Sequence, residues 1–514
     1  MKSFIKITLI LLIVWPESFF GQTYFNMLYP PEVGTWGSGT ESVVVTENSY
    51  FMNRWFADNL SGQLGHHFTK VDLDGVNYEV TDTIHNSNQW ISVASLTRTE
   101  NKTFIDMLSI HNYNPTTQQY ALVKYDSLGH IIFQNTDTNL YPYIYVKQVI
   151  SLPDGQIISV GNLRPNFGSS LNERFALLIK SDSLGNEIWK KTFNIGNYIE
   201  NGESIALCTD GGFIIGGAEL IINGPDDFYS PIVIKTDSNG NVQWKRKYGS
   251  TQYSNWPAYG ITQTQDGGYA FCGGVGVNHN SNIDQQMPWI VKLDSLGNML
   301  WADTNTGILL KSSPDNVFFS DIIELHDGSL VTCGQQKIWY ENKPTTDKHR
   351  WRGVIKKISS TGVPIWARYY DHPEINDLNS SAHVLNDIDS TPDGGFVAAG
   401  YATFTSDYVQ STWVIKVDSF GCLVQGCEVN SVPKIQLPIA ELKVYPNPAS
   451  EILNIEITPQ GNQQEFVFEL YDILGKRVLT KTLYSYENTI NVGNLASGVY
   501  TYKIGAVWGK IVVE

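Results

Sequence analysis

Ser204-Ile205-Ala206-Leu207-Cys208, Phe213-Ile214-Ile215-Gly216-Gly217, Ile232-Val233-Ile234-Lys235-Thr236 and Val242-Gln243-Trp244-Lys245-Arg246-Lys247 are four short β runs in one stretch of chain. Asp210-Gly211-Gly212 separates the first two and Asp237-Ser238-Asn239-Gly240 the last two. Glycine reaches positive φ without steric cost and aspartate hydrogen-bonds its own turn, so both breaks read as hairpins. A lone four-stranded sheet of this kind has apolar faces it cannot bury by itself. The architecture therefore turns on whether the pattern recurs.

It recurs seven times. A Lys-x-Asp/Ser turn closed by Gly three residues later has Asp72, Asp126, Asp182, Asp237, Asp294, Ser359 and Asp418 at its head, with Gly75, Gly129, Gly185, Gly240, Gly297, Gly362 and Gly421 behind them. A second mark, Asp-Gly-Gly-aromatic or a degenerate form, is headed by Asn48, Asn101, Asp154, Asp210, Asp266, Asp327 and Asp393. Five residues before it stand Val43, Leu96, Val149, Ile205, Ile261, Ile322 and Ile388, all apolar, as an inner strand packed between neighbours requires. Four strands in each of seven units predict an all-β fold, a seven-bladed β-propeller. The seventh unit lacks a normal fourth strand after Ser411 to Val417, whereas Phe25-Asn26-Met27-Leu28-Tyr29 precedes the first unit much as Trp244 to Tyr248 precedes the fifth. The N-terminal run is expected to complete blade 7 and remove an open edge.

Composition agrees. Of 514 residues, 42% are hydrophobic and 17% charged, with 44 Gly, 27 Tyr, 22 Phe and 14 Trp, which suits a turn-rich β protein with aromatic packing. The length allows one large repeat domain with an appendage. A net charge of −16 offers no basic field for phosphate backbones, so nucleic acid is excluded as an expected partner.

Lys2 and Lys6 bracket the start of an apolar run, Ile7 to Trp15, which returns to polarity through Pro16 and Glu17 to Gly21. This is the layout of a secretory signal peptide, too short to span a bilayer. No second long apolar segment follows, so no transmembrane segment is expected after its removal.

At the other end, Val444-Tyr445-Pro446-Asn447-Pro448-Ala449-Ser450, Leu470-Tyr471-Asp472-Ile473-Leu474-Gly475-Lys476, Leu495-Ala496-Ser497-Gly498-Val499-Tyr500 and Gly509-Lys510-Ile511-Val512-Val513 occur in order. These blocks resemble the type A C-terminal sorting domain of the type IX secretion system. The resemblance implies a small β-sandwich, a Bacteroidota source, the secretion machinery as partner, and passage through the periplasm to the outer surface or medium. Its signal residues here would be Tyr445, Pro446, Asn447, Pro448, Asp472, Gly475, Lys476, Gly498, Val499, Tyr500 and Lys510. The expected organisation is a signal peptide (1–21), the propeller (23–427), a linker (428–443) and the sorting domain (444–514).

Export favours a local disulfide between Cys422 and Cys427, which flank a four-residue loop outside the repeat register. Cys208, Cys272 and Cys333 fall on strand positions where small residues pack. Cys and His show no metal-ligand spacing, and Asp72-Leu73-Asp74-Gly75 reads better as a solvated turn than as a calcium loop, so neither a metal nor another cofactor is expected. Trp189, Trp244, Trp301 and Trp366, with Phe133, stand four residues after the turn Gly. This Gly-x-x-x-Trp pattern resembles the docking motif of quinoprotein propellers, with a turn one residue shorter, and implies blade docking rather than a quinone.

The place for chemistry is the mouth of the central channel, reached by the start of each inner strand. One residue before the apolar key position the blades offer Ser42, Ser95, Gln148, Ser204, Gly260, Asp321 and Asp387; two before it they offer Glu41, Ala94, Lys147, Glu203, Tyr259, Ser320 and Asn386. Asp321 and Asp387 come from adjacent blades, and a close carboxylate pair can divide into acid and base. Polar residues lining a wet channel need no catalysis, however. No Ser-His-Asp set or phosphate loop supports an enzyme. The favoured expectation is a non-catalytic propeller binding a glycan or protein, with Glu203 and Tyr259 as binding candidates. The alternative is a secreted polysaccharide hydrolase or lyase using Asp321 and Asp387, favoured if those carboxylates lie within about 10 Å of each other beside an aromatic-lined pocket.

Overall fold

The structure is a computed structural model that describes residues 24–31, 35–58, 64–85, 89–112, 117–164, 174–193, 199–221, 228–249, 255–276, 286–304, 316–339, 349–373, 382–403, 409–424, 427, 439–459, 465–472, 477–484, 486–504 and 507–514. The signal-peptide segment and most of the expected linker lie outside them. The chain divides into two compact units, Met1–Gln425 and Gly426–Glu514.

Among the described residues the first unit consists of seven blades, spanning 35–84, 89–136, 143–193, 199–247, 260–303, 316–370 and 382–417. Blade 4 shows the common plan: Ile199–Leu207, Phe213–Ile221, Phe228–Thr236 and Val242–Lys247 pair antiparallel in that order. All seven turn glycines of the first mark have φ between 73° and 94°, the left-handed region that disfavours any other residue. The Asp before them is just as physical. Asp237 Oδ1, for instance, accepts the N–H groups of Asn239 and Asn241 at 2.9 and 2.8 Å, closing the turn. In blade 2 the second mark lacks glycine, and Lys102 is forced to φ 60°.

In blades 4, 5 and 7 the two marks of the repeat meet in space. Lys235 Nζ contacts both Asp210 oxygens, at 3.0 and 2.7 Å, and Lys292 with Asp266 and Lys416 with Asp393 repeat the pair. A lysine ending the third strand thus braces the first hairpin, which is why the two sequence registers keep step.

The seven apolar key residues are all buried, none more than 6% exposed. The core runs between blades; one cluster joins Ile158, Val160 and Leu178 of blade 3 to Ile205, Phe213 and Ile232 of blade 4. Outer-strand aromatics extend the contact. A Cβ on Gly240, Gly297, Gly362 or Gly421 would lie within 3 Å of Trp189, Trp244, Trp301 or Trp366 respectively, each on the preceding blade. Blade docking is the role of these tryptophans.

Ring closure follows the expectation. Phe25–Tyr29 pairs antiparallel with Gln410–Val417, Phe25 opposite Lys416 and Tyr29 opposite Thr412, and so supplies the outer strand of blade 7. Phe25 takes the tryptophan's place, its ring 2.6 Å from where a Cβ on Gly75 would sit. Arg54, buried in blade 1, donates to Thr412 Oγ1 at 3.0 Å and reaches the carbonyls of Tyr29 and Pro30. Cys422 and Cys427 are disulfide-bonded. Cys208, Cys272 and Cys333 are free and buried, and burial pushes the Cys208 thiol up to about 12, as expected of packing rather than reactive cysteines.

The second unit packs a three-stranded sheet (Ile439–Tyr445, Ile452–Pro459, Tyr486–Asn491) and a four-stranded sheet (Arg477–Tyr484, Glu465–Tyr471, Gly498–Ile504, Val507–Val513) around Leu453, Ile455, Phe466, Phe468, Leu483 and Ile504. Asn447 of the first sequence block joins the last: its Nδ2 donates to Lys510 O at 3.1 Å and its Oδ1 accepts from Val512 N–H at 2.8 Å. Gly475 and Lys476 lie outside the described residues.

Candidate functional site

Six inner strands carry a register shift at the same place: between Thr40 and Ser42, Val93 and Leu96, Val146 and Gln148, Gly202 and Ser204, Phe319 and Asp321, and Leu385 and Asp387. A β-bulge inserts a residue without a ladder partner and re-aims its side chain. Here it splits two adjacent positions between two tasks.

The residue just before the key position turns to the neighbouring blade. Asp387 Oδ2 accepts from Val43 N–H and Ser42 Oγ, both at 2.7 Å, across the seam between blades 7 and 1. Gln148 Oε1 accepts from Ile205 N–H at 2.6 Å, Ser95 Oγ from Val149 N–H at 3.0 Å, and Asp321 Oδ2 from Ile388 N–H at 3.4 Å. These side chains form a belt that ties blade 2 to 3, blade 3 to 4, blade 6 to 7 and blade 7 to 1. Blade 5 has Gly260 there, because a Cβ would come within 2.7 Å of Asp321 Cα.

The bulged residue faces the channel. Glu41, Lys147, Glu203, Ser320 and Asn386, with Tyr259 at the matching position of blade 5, line one cavity of about 310 Å3. Tyr145, Phe318, Tyr401 and Gln335 are also in its wall. Lys147 Nζ lies 3.3 Å from Glu203 Oε2 and 4.8 Å from the Tyr145 ring centroid. Glu203 holds the Lys147 ammonium well beyond the usual lysine range against the cost of burial, so it is charged and cannot serve as a base. Glu41 opens onto the channel yet is walled by protein, and burial raises its pKa while Lys147 opposes the shift. Burial and the nearby Glu203 carboxylate raise the Tyr259 hydroxyl as well.

Asp321 and Asp387 also reach the cavity and hydrogen-bond to each other. Burial raises both, and the neighbouring Asp321 charge pushes Asp387 well above the usual carboxylate range. All four candidates, Asp321, Asp387, Glu203 and Tyr259, therefore line the same mouth. Tyr145 and Phe318, four residues before the key position, carry no repeat mark in the sequence. A step of two upstream of the bulge would have found them. Gln335 and Tyr401 sit on second strands, with no mark in the inner-strand register. Among the described residues no cluster of His, Cys, Asp and Glu could hold a metal ion, and Asp72 and Asp74 bond within their own turn.

Residues 443–514 match the family described as secretion system C-terminal sorting domain. No curated protein matches the chain in sequence. Among solved structures, the polysaccharide lyase Uly1 is 12% identical with a TM-score of 0.44, over 74% of this chain and 90% of that one. The β-propeller domain of the Trilobed protease from Pyrococcus furiosus is 9% identical with a TM-score of 0.39, over 76% and 93%. The α-L-arabinanase of Penicillium chrysogenum is 8% identical with a TM-score of 0.40, over 77% and 98%. At such identities the likeness is one of fold alone. The sorting domain, with the seven blades before it, makes the chain a β-propeller protein exported by type IX secretion to the cell surface or beyond it.

Proposed function

We propose that the exported propeller is a non-catalytic binding module that takes a glycan at its channel mouth. The observation that carries this reading is the set of bulged residues, which brings Glu41, Lys147, Glu203, Ser320, Asn386 and the Tyr259 ring to one cavity. Its volume lies in the small-ligand range, and hydrogen-bonding groups beside aromatic faces suit a sugar ring, which is polar at its edge and apolar on its face. Titrating the secreted protein with oligosaccharides should give saturable binding that Tyr259→Ala and Glu203→Gln weaken about tenfold or more. Binding unchanged in both variants would place the ligand elsewhere.

The hydrogen-bonded Asp321–Asp387 pair favours a second reading, a polysaccharide hydrolase or lyase. The pair meets the proximity condition beside an aromatic-lined pocket. Its use in the belt weighs against catalysis: Asp387 Oδ2 is taken by two donors of blade 1, and directly bonded carboxyls leave no room for the sugar between acid and base. Product release from polysaccharide, abolished by Asp321→Asn without loss of binding, would establish the catalytic reading instead.

A further inference from the structure

The glycan reading leaves two rows of aromatic rings outside the mouth without a task. On blades 2 and 3, Trp90 stacks on His111 with ring centroids 5.1 Å apart and planes at 27°, and His111 meets Tyr145 at 6.2 Å. Tyr145 is part of the cavity wall. On blades 5 and 6, Phe318, also in the wall, stacks on Trp256 at 5.3 Å and 12° and meets Trp351 edge-on at 5.9 Å. Both rows begin where inner strands enter, so they flank the mouth on the same face of the ring. Trp90 is 41% exposed, a high value for a tryptophan that closes no core. Burial holds His111 at about 4, so its ring is neutral at physiological pH and behaves as another aromatic face.

Between the rows, acidic side chains outnumber basic ones among the described residues. Among the described residues lining the cavity, the carboxyl groups of Glu41, Glu203, Asp321 and Asp387 face a single ammonium, Lys147. Gln335, 9% exposed, has its Oε1 buried without a hydrogen-bond partner among the described residues while lining the same cavity. A buried orphan acceptor costs free energy that a ligand hydroxyl would recover. A ligand that brought carboxylates or sulfates would meet like charge; one that brought hydroxyl donors would satisfy the wall.

Resting on the glycan reading, we propose that the mouth and its two aromatic rows form one continuous groove for the interior of an uncharged polysaccharide chain. One stretch of the chain sits over the acceptors of the mouth, and flanking sugars lie on Trp90 at one side and on Trp256 and Trp351 at the other. The recognised element is an extended run of sugars rather than a chain end.

The test is calorimetric titration of the secreted protein with trimers and hexamers of β-glucan, xylan, mannan and chitin, and with hexagalacturonate as the anionic probe. At least one uncharged hexamer should bind more than about tenfold tighter than its trimer, because only the hexamer reaches the rows. Trp90→Ala and Trp351→Ala should each weaken the hexamer about threefold to tenfold and leave the trimer unchanged. Unaltered melting temperatures verify that both variants fold. Hexagalacturonate should bind more weakly than the best uncharged hexamer, the difference shrinking with added salt. Equal trimer and hexamer affinities, indifference to both tryptophans, or preference for hexagalacturonate overturns the groove, while sensitivity to Tyr259→Ala preserves the mouth. Failure of every saccharide overturns both.

Discussion

The Tyr29 hydroxyl donates to the Gly75 carbonyl at 2.7 Å, from the outer strand of blade 7 to the turn of blade 1. Tyr248 makes the same bond to Gly297 at 2.7 Å and Tyr370 to Gly421 at 2.8 Å, each four residues after the docking aromatic. The N-terminal strand therefore repeats, at the seam, the contact used between blades 4 and 5 and between blades 6 and 7. Tyr29→Phe, Tyr248→Phe and Tyr370→Phe should each cost about 1–2 kcal/mol in denaturant melts, since each strands a buried carbonyl. Deleting Phe25 to Tyr29 should cost several kcal/mol more, through lost ladder bonds and the exposed faces of Val397 and Val414. A deletion variant as stable as Tyr29→Phe would show that the strand does not close the ring.

The brace between the repeat marks is separately testable. Lys235 is 2% exposed and its ammonium relies on Asp210, Thr236 O and Gln243. Asp210→Ala should destabilise by about 1–3 kcal/mol, less than a fully buried pair because the Asp210 side chain is half exposed. Lys235→Met, which keeps the buried stem and removes the charge, should cost less than Asp210→Ala. The reverse order in chemical denaturation would mean the pair itself, not the stranded ammonium, sets the energy.

The seam carries a proton-dependent contribution. Asp389 Oδ2 accepts from Val45 N–H at 3.2 Å, and burial raises its pKa to about 6. A carboxyl with a raised folded-state pKa binds its proton more tightly folded than unfolded, so its contribution is present near pH 4 and is lost as pH rises through about 6. Asp389→Asn, fixed in the neutral shape, should therefore lose less stability than the native protein between pH 4 and pH 7, the difference being about 1–3 kcal/mol. Asp387→Asn should act in the same sense and extend the flattening to higher pH, because its pKa is raised well beyond that of a free carboxyl. Parallel stability curves for native and variant protein would rule out the buried protons.

Export is expected to need the second unit. Its core gathers its own residues, among them Ala449, Leu453, Phe468 and Val513, with Leu442 and Val444 packed against them. Deleting residues 444–514 should leave a propeller with an unchanged melting transition held in the periplasm of a type IX secreting host. Appearance of the truncated chain outside the cell, detected by immunoblot of the medium, would remove the sorting role.

Turn glycines, their aspartates and the apolar key residues are local requirements: a left-handed φ, a capped turn and a buried inner strand are each met by one residue type at one spacing. The seven blades, the tryptophan docking and the borrowed N-terminal strand were therefore legible along the chain, and even the positions around the mouth could be named. What each of those positions does was decided by tertiary structure. A bulge is an extra residue in a ladder, visible only once both strands are paired, and it sends Glu203 into the channel while aiming Ser204 at blade 5 through Ala258 O. Asp321 and Asp387 read as possible catalysts because adjacent blades bring them close; the structure shows their oxygens bonded to each other and to the Ile388 and Val43 N–H groups. Gln335, Trp90 and Trp351 left no mark in the repeat, because a side chain's service at a shared mouth depends on which strand ends the ring brings to one face.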